Sequence, residues 1–361
     1  MGKIIIAELE YLPLVSIVIP VYNRVNLIKA TIQSVINQTY QNWECLIIDD
    51  GSSDGTIKTV EEFCETDKRI KIIIRDSEPK GAPRCRNIGI ENSLGEYVIF
   101  LDSDDVMADE CLERRIAGFQ KYPDKDFLVF PSLLFKETRF DLNILWNIDS
   151  EEDDLERFLR IDAIWPICGP IYKRSVLLEI NMFREDLAFW QDFDLHLRFL
   201  LLKYKYEKLF DMPPDIFIRM HLDQSISRSI SFVEDENILG KRIDFYISQL
   251  NFINSHSISL NKSQKNTLRG VLYYFCNCYL LEHNNKRMFM RSWRRAKKSL
   301  KMNFPSYFLS MIFSFLFYQQ KRSKYFIKLR FMFYSVFKNY IPDYKVLLIT
   351  TLGKIQAKQN Q

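Results

Sequence analysis

Apolar strand-like runs alternate with helical segments through the first 135 residues, and this alternation constrains the fold more than any other feature. VSIVI (Val15–Ile19), ECLII (Glu44–Ile48) and YVIFL (Tyr97–Leu101) are largely apolar, as strands buried on both faces are. In Asn26–Gln38 the apolar residues recur at a helical period. Such repeated units predict an α/β fold with a mainly parallel sheet covered by helices. The remaining predicted elements are helices at 54–65, 82–91 and 110–121 and strands at 70–74 and 127–135.

Three polar clusters follow strands of this series: PVYNR from Pro20, DDGSSDGT from Asp49 and DSDD from Asp102. In open parallel sheets, ligands bind beyond the carboxyl ends of the strands. We therefore expect the three clusters to converge on one rim of the sheet and to form a ligand site there.

FLDSDD (Phe100–Asp105) sets three carboxylates directly after a buried strand. On an extended strand end, Asp102 and Asp104 would share a face, and such oxygen ligands suit Mg²⁺ or Mn²⁺ bound together with substrate phosphates. The simpler alternative is a polar loop that caps the helix near Asp109. DSDDV also fits the D-x-D-x-[TV] signature of haloacid dehalogenase phosphatases, with Asp102 as nucleophile, although that signature normally follows the first strand of its domain.

Charge is divided unevenly along the chain. Residues 1–240 carry 28 Lys and Arg against 43 Asp and Glu, whereas residues 241–361 carry 22 against 3. The basic part is expected to meet an anionic surface. The seven cysteines form no C-x-x-C pair, which favours reduced thiols in a cytosolic protein. The N-terminus lacks the pattern of a signal peptide, so we predict a cytoplasmic protein.

Residues 302–320 contain no charged side chain and are flanked by basic sequences, RRAKK from Arg294 and KRSKYFIKLR from Lys321. Such flanks are typical of helices that lie in an anionic leaflet. We therefore predict a helical region from 231 to 361 that is peripheral at the inner face of the cell membrane. A buried helix and a membrane span are the alternatives. No nucleic-acid-binding motif accompanies the charge, so no nucleic-acid partner is predicted.

The sequence resembles glycosyltransferase family 2 over about residues 14–230. The resemblance rests on VSIVIPVYNR, TIQSVINQTYQNWECLIIDDGSSDGT, GAPRCRNIGIENSLGEYVIFLDSDD and FWQDFDLHLRF, in this order. It implies a GT-A fold and an inverting transferase that uses a nucleotide sugar. We divide the chain accordingly into a transferase domain at 1–230, with a nucleotide-binding half at 1–101 and an acceptor half at 102–230, and the helical region at 231–361.

The resemblance also implies roles for residues of the rim. Tyr22 would lie against the nucleotide base, and Asp50 would accept a hydrogen bond from a uracil-type ring N–H. Asp104 would ligate the metal that bridges the diphosphate. His221 of the later Arg-x-His segment would contact this metal or the diphosphate. The donor-binding residues implied are Pro20, Tyr22, Asp50, Arg86 and Asp102, with Asn87 beside Arg86.

Asp192 is implied to be the catalytic base, because it matches the second position of the family's Glu-Asp pair. In this chain the first position of the pair is Gln191 instead of Glu. The substitution affects the role of residue 191 and leaves the base at Asp192 in place. From the sequence alone, an aspartate at a helix start is more often an N-cap. Trp165 and Trp190, with Pro166, are candidates for the floor of an acceptor-sugar site, and core packing is an equal alternative.

Together these observations predict a metal-dependent transferase that moves a sugar from a nucleotide sugar, UDP-linked, to the hydroxyl of a glycan or lipid-linked acceptor, as in surface polysaccharide assembly. Mg²⁺ or Mn²⁺ is the predicted cofactor. Two alternatives stay open: a phosphatase that uses Asp102 as nucleophile, and a non-catalytic scaffold that binds membrane or nucleic acid.

Overall fold

The computed structural model describes residues 12–75, 77–146, 148–187, 189–220, 235–320, 329, 332 and 335–337. The predicted metal ligand His221 lies outside the described residues, as does most of the basic flank that begins at Lys321.

Eleven strands in the described residues form two sheets. In chain order they are β1 Val15–Val21, β2 Trp43–Asp49, β3 Ile70–Ile74, β4 Tyr97–Phe100, β5 Val106–Met107, β6 Phe127–Val129, β7 Ser132–Phe135, β8 Ile144–Leu145, β9 Pro170–Lys173, β10 Tyr206–Lys208 and β11 Ile216–Arg219. The large sheet has the order β10-β6-β9-β4-β1-β2-β3, and the small sheet β5-β11-β7-β8. In the large sheet β9 alone runs antiparallel to its neighbours. The predicted, mainly parallel sheet is therefore confirmed.

Seven helices accompany the sheets and four more follow them in the described residues. The first seven are α1 Ile28–Ile36, α2 Thr56–Thr66, α3 Ala82–Asn92, α4 Cys111–Lys121, α5 Asp154–Leu159, α6 Arg174–Glu179 and α7 Gln191–Leu201. The C-terminal four are α8 Glu236–Ser255, α9 Lys262–Leu281, α10 Lys286–Ser299 and α11 Phe304–Gln320. The C-terminal region is thus helical, as predicted.

The single strand predicted at 127–135 is wrong. It breaks after Val129 into β6 of the large sheet and β7 of the small sheet. Pro131 stands at the break, and proline has no N–H to donate within a sheet. The N–H of Phe130 donates instead to the carbonyl oxygen of Gly169 at 3.1 Å. The chain can therefore change sheets within one continuous apolar run.

The apolar core crosses the predicted boundary at residue 230. Ile17 and Ile19 of β1 face one core cluster, while Val18 faces the other. The cluster that contains Val18 continues without interruption to Leu272 of α9 and Phe313 of α11. The division into domains remains a prediction, but the C-terminal helices share a core with the sheet.

The uncharged segment 302–320 forms α11, and its serines point inward. Ser310 and Ser314 are fully buried. The hydroxyl of Tyr273 lies 2.7 Å from Ser314 Oγ, and Trp293 Nε1 donates to Ser310 Oγ at 3.0 Å. These bonds tie α11 to α9 and α10, as the buried-helix alternative expected. Within the described residues, every helix is too short or too polar to cross a bilayer.

Candidate active site

The polar clusters converge on one rim, as expected from the parallel sheet. In the β1–β2 register Val21 stands opposite Asp49, and the N–H of Asp50 donates to the carbonyl oxygen of Val21 at 2.9 Å. On the other side of β1, the N–H of Leu101 donates to the Val18 carbonyl oxygen at 3.1 Å. The chain therefore leaves β1, β2 and β4 at the same edge of the sheet.

The Asp50 carboxylate is held by the loop between β3 and α3. Its Oδ1 accepts a hydrogen bond from Nε of the buried Arg75 side chain, and its Oδ2 accepts from the N–H of Gly81 at 3.0 Å. It does not cap α2, because Asp54 accepts the N–H of Thr56 there. The sequence contained no signal for the Arg75 partner, which lies 25 residues away.

Pro20 and Tyr22 stand at the end of β1 with opposite exposure. Pro20 is buried in the strand, whereas Tyr22 is 53% exposed. The Tyr22 ring is therefore available to a ligand at the rim, and Pro20 fixes the backbone behind it.

Arg86 forms a second close ion pair at the rim, with Asp102. Its Nη2 donates to Asp102 Oδ1 at 2.7 Å, from a guanidinium that is almost completely buried in α3. Its Nε has no hydrogen-bond partner among the described residues. A buried donor without a partner is costly, so the guanidinium retains capacity to bind an anionic or polar ligand.

Asn87 forms hydrogen bonds with the loop between α6 and α7. The sequence did not predict this contact. Nδ2 of Asn87 donates to the carbonyl oxygen of Phe183 at 2.9 Å and to Glu185 Oε1 at 2.7 Å. The N–H of Phe183 donates back to Asn87 Oδ1 at 2.9 Å. The Arg-Asn step of α3 therefore contacts Asp102 through its first residue and the loop through its second.

Asp102, Asp104 and Asp105 lie on a turn, so the prediction of an extended strand end is wrong. β4 ends at Phe100, and the N–H of Asp105 donates to the carbonyl oxygen of Asp102 at 3.0 Å. A turn of this kind closes because the backbone bond spans four residues. The three carboxylates are therefore close together because the chain turns here. They do not share one face of an extended strand.

The buried member of this turn is Asp105. Its Oδ1 accepts the N–H of Arg219 at 2.9 Å. Burial raises the pKa of Asp105 well above its usual range, and the charges of Asp102 and Asp104 raise it further. Asp105 therefore holds its proton more readily than an exposed aspartate does.

The donor set of the turn fits a hard divalent cation. Asp104 Oδ2 lies 3.7 Å from Nε of Arg24, and its side chain is 18% exposed. In the part of the chain that the structure describes, no group of three or more His, Cys, Asp or Glu side chains could hold a metal by itself. Mg²⁺ commonly binds proteins through one or two carboxylates and takes its other ligands from substrate phosphates and water. Asp104, with Asp102 beside it, matches that pattern.

Asp192 lies at the second position of α7, where the charges of Arg86 and Asp102 act on its carboxylate. Its Oδ1 accepts the N–H of Phe193 at 2.8 Å. Burial raises the pKa of Asp192; the positive charge of Arg86 opposes this effect and the charge of Asp102 adds to it. The helix N-cap is Trp190, so the N-cap alternative for Asp192 is wrong.

Asp194 is a second aspartate of α7 that the sequence analysis passed over. Its Oδ2 accepts from Arg198 Nε at 2.8 Å, and its Oδ1 accepts from Gln249 Nε2 of α8 at 2.6 Å. It is completely buried. The i, i+4 spacing of Asp194 and Arg198 on an otherwise apolar helix was a signal for this buried pair.

The two tryptophans proposed for the floor of the acceptor-sugar site differ in burial. Trp165 is only 1% exposed and packs on Phe158, with ring centres 4.9 Å apart, so it belongs to the core. Trp190 is half-buried. Beneath α7, the hydroxyl of Tyr172 lies 2.7 Å from Nε2 of His196. Burial lowers the pKa of His196 to about 3, so this imidazole is neutral.

Comparisons with known proteins identify similar sequences and a similar fold. Residues 16–177 match the family model "Glycosyl transferase family 2". An "Uncharacterized glycosyltransferase" of Rickettsia bellii is 34% identical over 179 residues, which are 49% of this chain and 25% of that protein. The glucosyltransferase WfgD of Escherichia coli is 45% identical over 108 residues, 30% of this chain and 42% of WfgD. TuaG of Bacillus subtilis is 35% identical over 130 residues, 36% of this chain and 48% of TuaG.

The matched segments thus span between a quarter and a half of these relatives. Among solved structures, S. aureus TarS 1–349 in complex with UDP-GlcNAc has a TM-score of 0.54 at 18% identity, and the match covers 94% of this chain and 92% of that one. This likeness confirms the GT-A-type fold, including its helical C-terminal part. Residues 16–177 of this chain are thus similar to glycosyl transferase family 2, and relatives of this stretch are named as glycosyltransferases.

Proposed function

We propose that this chain is an inverting glycosyltransferase that moves a sugar from a UDP-linked donor to an acceptor hydroxyl group. One observation carries the proposal: Asp192, whose pKa is raised by burial, lies within electrostatic reach of the Arg86–Asp102 pair at the rim of the sheet. Two of the similar proteins support the donor class. WfgD is named as a transferase of glucose from UDP-Glc, and TarS was solved with UDP-GlcNAc.

The donor side would use Tyr22 and Asp50. The exposed Tyr22 ring offers a face for the base. Arg75 and Gly81 fix the orientation of the Asp50 carboxylate. A carboxylate has about four lone-pair sites, so Asp50 could still accept a uracil-type ring N–H. Asp102, fixed by Arg86, would lie near the ribose.

Asp192 would act as the general base. It takes the proton of the acceptor hydroxyl as that oxygen attacks the anomeric carbon on the face opposite the leaving diphosphate. The bond to the diphosphate breaks in the same displacement and its electron pair leaves with the phosphate oxygen, so the configuration inverts. The raised pKa makes Asp192 a stronger base than an exposed aspartate, while the Phe193 N–H and the charge of Arg86 favour its carboxylate form.

Mg²⁺ or Mn²⁺ is the proposed cofactor, held by Asp104 with Asp102 nearby and with His221, which lies outside the described residues. When bound, the cation would supply charge stabilisation to the diphosphate group. Asp105 is turned inward onto the N–H of Arg219. Its part is to hold the turn that presents Asp104.

For the acceptor we propose a lipid-linked glycan, since WfgD is named for a diphosphoundecaprenol acceptor and TuaG for teichuronic acid biosynthesis. Residues 1–230 would form the transferase unit, with 1–101 binding the nucleotide and 102–230 the acceptor. The basic region at 231–361 would bring this unit to the anionic inner face of the cell membrane.

Asp192→Asn tests the mechanism. We expect UDP affinity to be retained and sugar transfer to fall by roughly 10²–10⁴-fold, because an amide cannot accept the proton. Asp186→Asn is the matched control, since Asp186 is 68% exposed and pairs with Arg184. Near-normal transfer by Asp192→Asn would overturn the proposed base. A phosphatase would instead lose phosphate release in Asp102→Asn and keep it in Asp192→Asn.

A further inference from the structure

The outward side of α10 carries a row of cations. From Lys286 to Lys301 the chain has eight Lys and Arg residues and no Asp or Glu. Four of them recur at the helical period of i, i+4, i+7 and i+11, and all four are exposed: Arg287, Arg291, Arg294 and Lys298. We call these four residues the basic row. The opposite side of the helix is apolar and buried, through Phe289, Trp293 and Ala296.

Ion pairing distinguishes the basic row from its neighbour Arg295. Arg295, beside the row, pairs with Asp244 at 2.6 Å. No member of the basic row forms an ion pair with a residue that the structure describes. A single-sign surface of this kind attracts anionic partners.

Two exposed aromatic rings lie next to the end of this helix. Phe304, the first residue of α11, is 66% exposed, and Phe308 is 48% exposed. Their rings stack with centres 5.9 Å apart and an angle of 11°. Nζ of Lys297 lies 5.6 Å from the centre of the Phe304 ring, so the aromatic pair adjoins the basic end of α10.

We infer that the basic row and the pair Phe304–Phe308 form one docking surface for an anionic lipid bilayer. The cations would contact lipid phosphates, and the two rings would enter the interface between headgroups and acyl chains. A soluble polyanion without rings, such as inorganic polyphosphate, would use the cations but offers no apolar layer for two neighbouring phenylalanine rings. The inference identifies the surface behind the membrane location proposed above. Its test measures no sugar transfer, so the two can fail separately.

The test is co-sedimentation of the full chain with vesicles of phosphatidylglycerol and phosphatidylcholine, against vesicles of phosphatidylcholine alone. Each near-surface cation contributes roughly fivefold to binding. The triple variant Arg287→Gln, Arg291→Gln, Arg294→Gln should therefore bind the anionic vesicles about 100-fold more weakly. The control variant Lys29→Gln, Lys58→Gln, Lys68→Gln removes the same charge from exposed sites of the sheet region and should bind like the parent.

A second variant isolates the rings. Phe304→Ser with Phe308→Ser should weaken vesicle binding by roughly tenfold or more, because burying each phenylalanine is favourable, and should leave the binding of inorganic polyphosphate unchanged. All the substitutions are at exposed positions, and circular dichroism confirms folding. Equal binding by the triple variant and its control would overturn the inference. Insensitivity of vesicle binding to the double serine variant would also overturn it and assign the surface to soluble polyanions.

Discussion

The guanidinium carbon of Arg242 in α8 lies 5.2 Å from the centre of the Trp190 ring, and Trp190 is the residue directly before α7. Trp190 has φ 60, in the left-handed region that is costly for a bulky residue. Such a conformation persists where the surroundings enforce it. The centre of the Trp190 ring also lies 5.3 Å from that of the Phe245 ring and 6.4 Å from that of the Phe275 ring. The C-terminal helices therefore hold the residue from which α7, with Asp192 at its second position, begins.

Arg242→Leu should consequently lower kcat more than it lowers UDP affinity. A displacement of a catalytic group by about 1 Å can cost on the order of 10²-fold in rate. Burial raises the pKa of Asp192, so activity is lost on acidification at a higher pH than for an exposed aspartate. A looser α7 would admit water, lower this pKa and move the acid limb of the kcat/KM profile to lower pH.

Arg269→Leu provides the matched control for Arg242→Leu. Burial lowers the pKa of both guanidinium groups, but in the described residues only that of Arg242 stacks on the Trp190 ring. Arg269→Leu should change thermal stability without moving the acid limb. If both variants left the limb unchanged, Arg242 would have a purely structural role.

Donor binding should depend on a divalent cation through Asp104. Titration calorimetry with UDP should show tighter binding in Mn²⁺ than in EDTA, and Asp104→Asn should remove most of this difference because a neutral amide is a poorer ligand than a carboxylate. Asp109→Asn is the control, since Asp109 is exposed and pairs with Arg139 at 3.4 Å. The same UDP affinity in Mn²⁺ and in EDTA would contradict the assignment.

His196 should make the folded state sensitive to acid. The pKa of His196 is about 3 in the folded protein, because the imidazole is buried, against 6.5 in the unfolded chain. Between these values the unfolded state binds one more proton, so this stabilising contribution is complete above pH 6.5 and is lost as the pH falls toward 3. From pH 7.5 to 5.5 the free energy of unfolding should fall by about 1.4 kcal/mol from this group.

Urea unfolding at the two pH values measures this effect. His196→Gln keeps a hydrogen-bonding group beside Tyr172 and should remove this part of the pH dependence. His256→Gln, at an exposed position beyond α8, should retain it. Parallel pH dependences for the parent and His196→Gln would show that His196 does not carry the effect.

Gly89→Ala tests how closely α3 approaches the sheet. A Cβ at Gly89 would meet Cγ1 of Val18 at 2.2 Å, and the β-branched valine has little rotamer freedom. Overpacking costs about 1–3 kcal/mol, which exceeds the roughly 1 kcal/mol that alanine gains over glycine in a helix. At Gly118 of α4 the nearest atom is Cδ1 of Leu128 at 2.9 Å, so Gly118→Ala should cost less. Thermal unfolding decides between the two, and an equal or smaller loss for Gly89→Ala would contradict the prediction.

The sequence by itself determined the order of strands and helices from β1 to β4 and their common rim. Apolar strands and periodic helices are local patterns, and parallel pairing then obliges the residues after β1, β2 and β4 to meet. Tyr22, Asp50 and Asp102 could thus be assigned to one edge before any contact was known. The basic row could be recognised in the same way, because its spacing in α10 is a property of the helix alone.

Only the tertiary structure decided how the charges are held. Arg75 with Asp50, Arg86 with Asp102 and Gln249 with Asp194 are separated by 25, 16 and 55 residues. The turn at Asp102 was also not predicted, since the sequence indicated an extended strand end there. No local pattern specifies these partners, because a buried polar group needs a hydrogen bond but not from any particular segment of the chain. Which segment provides it depends on how the sheet, the α3 loop and the C-terminal helices pack around one shared core.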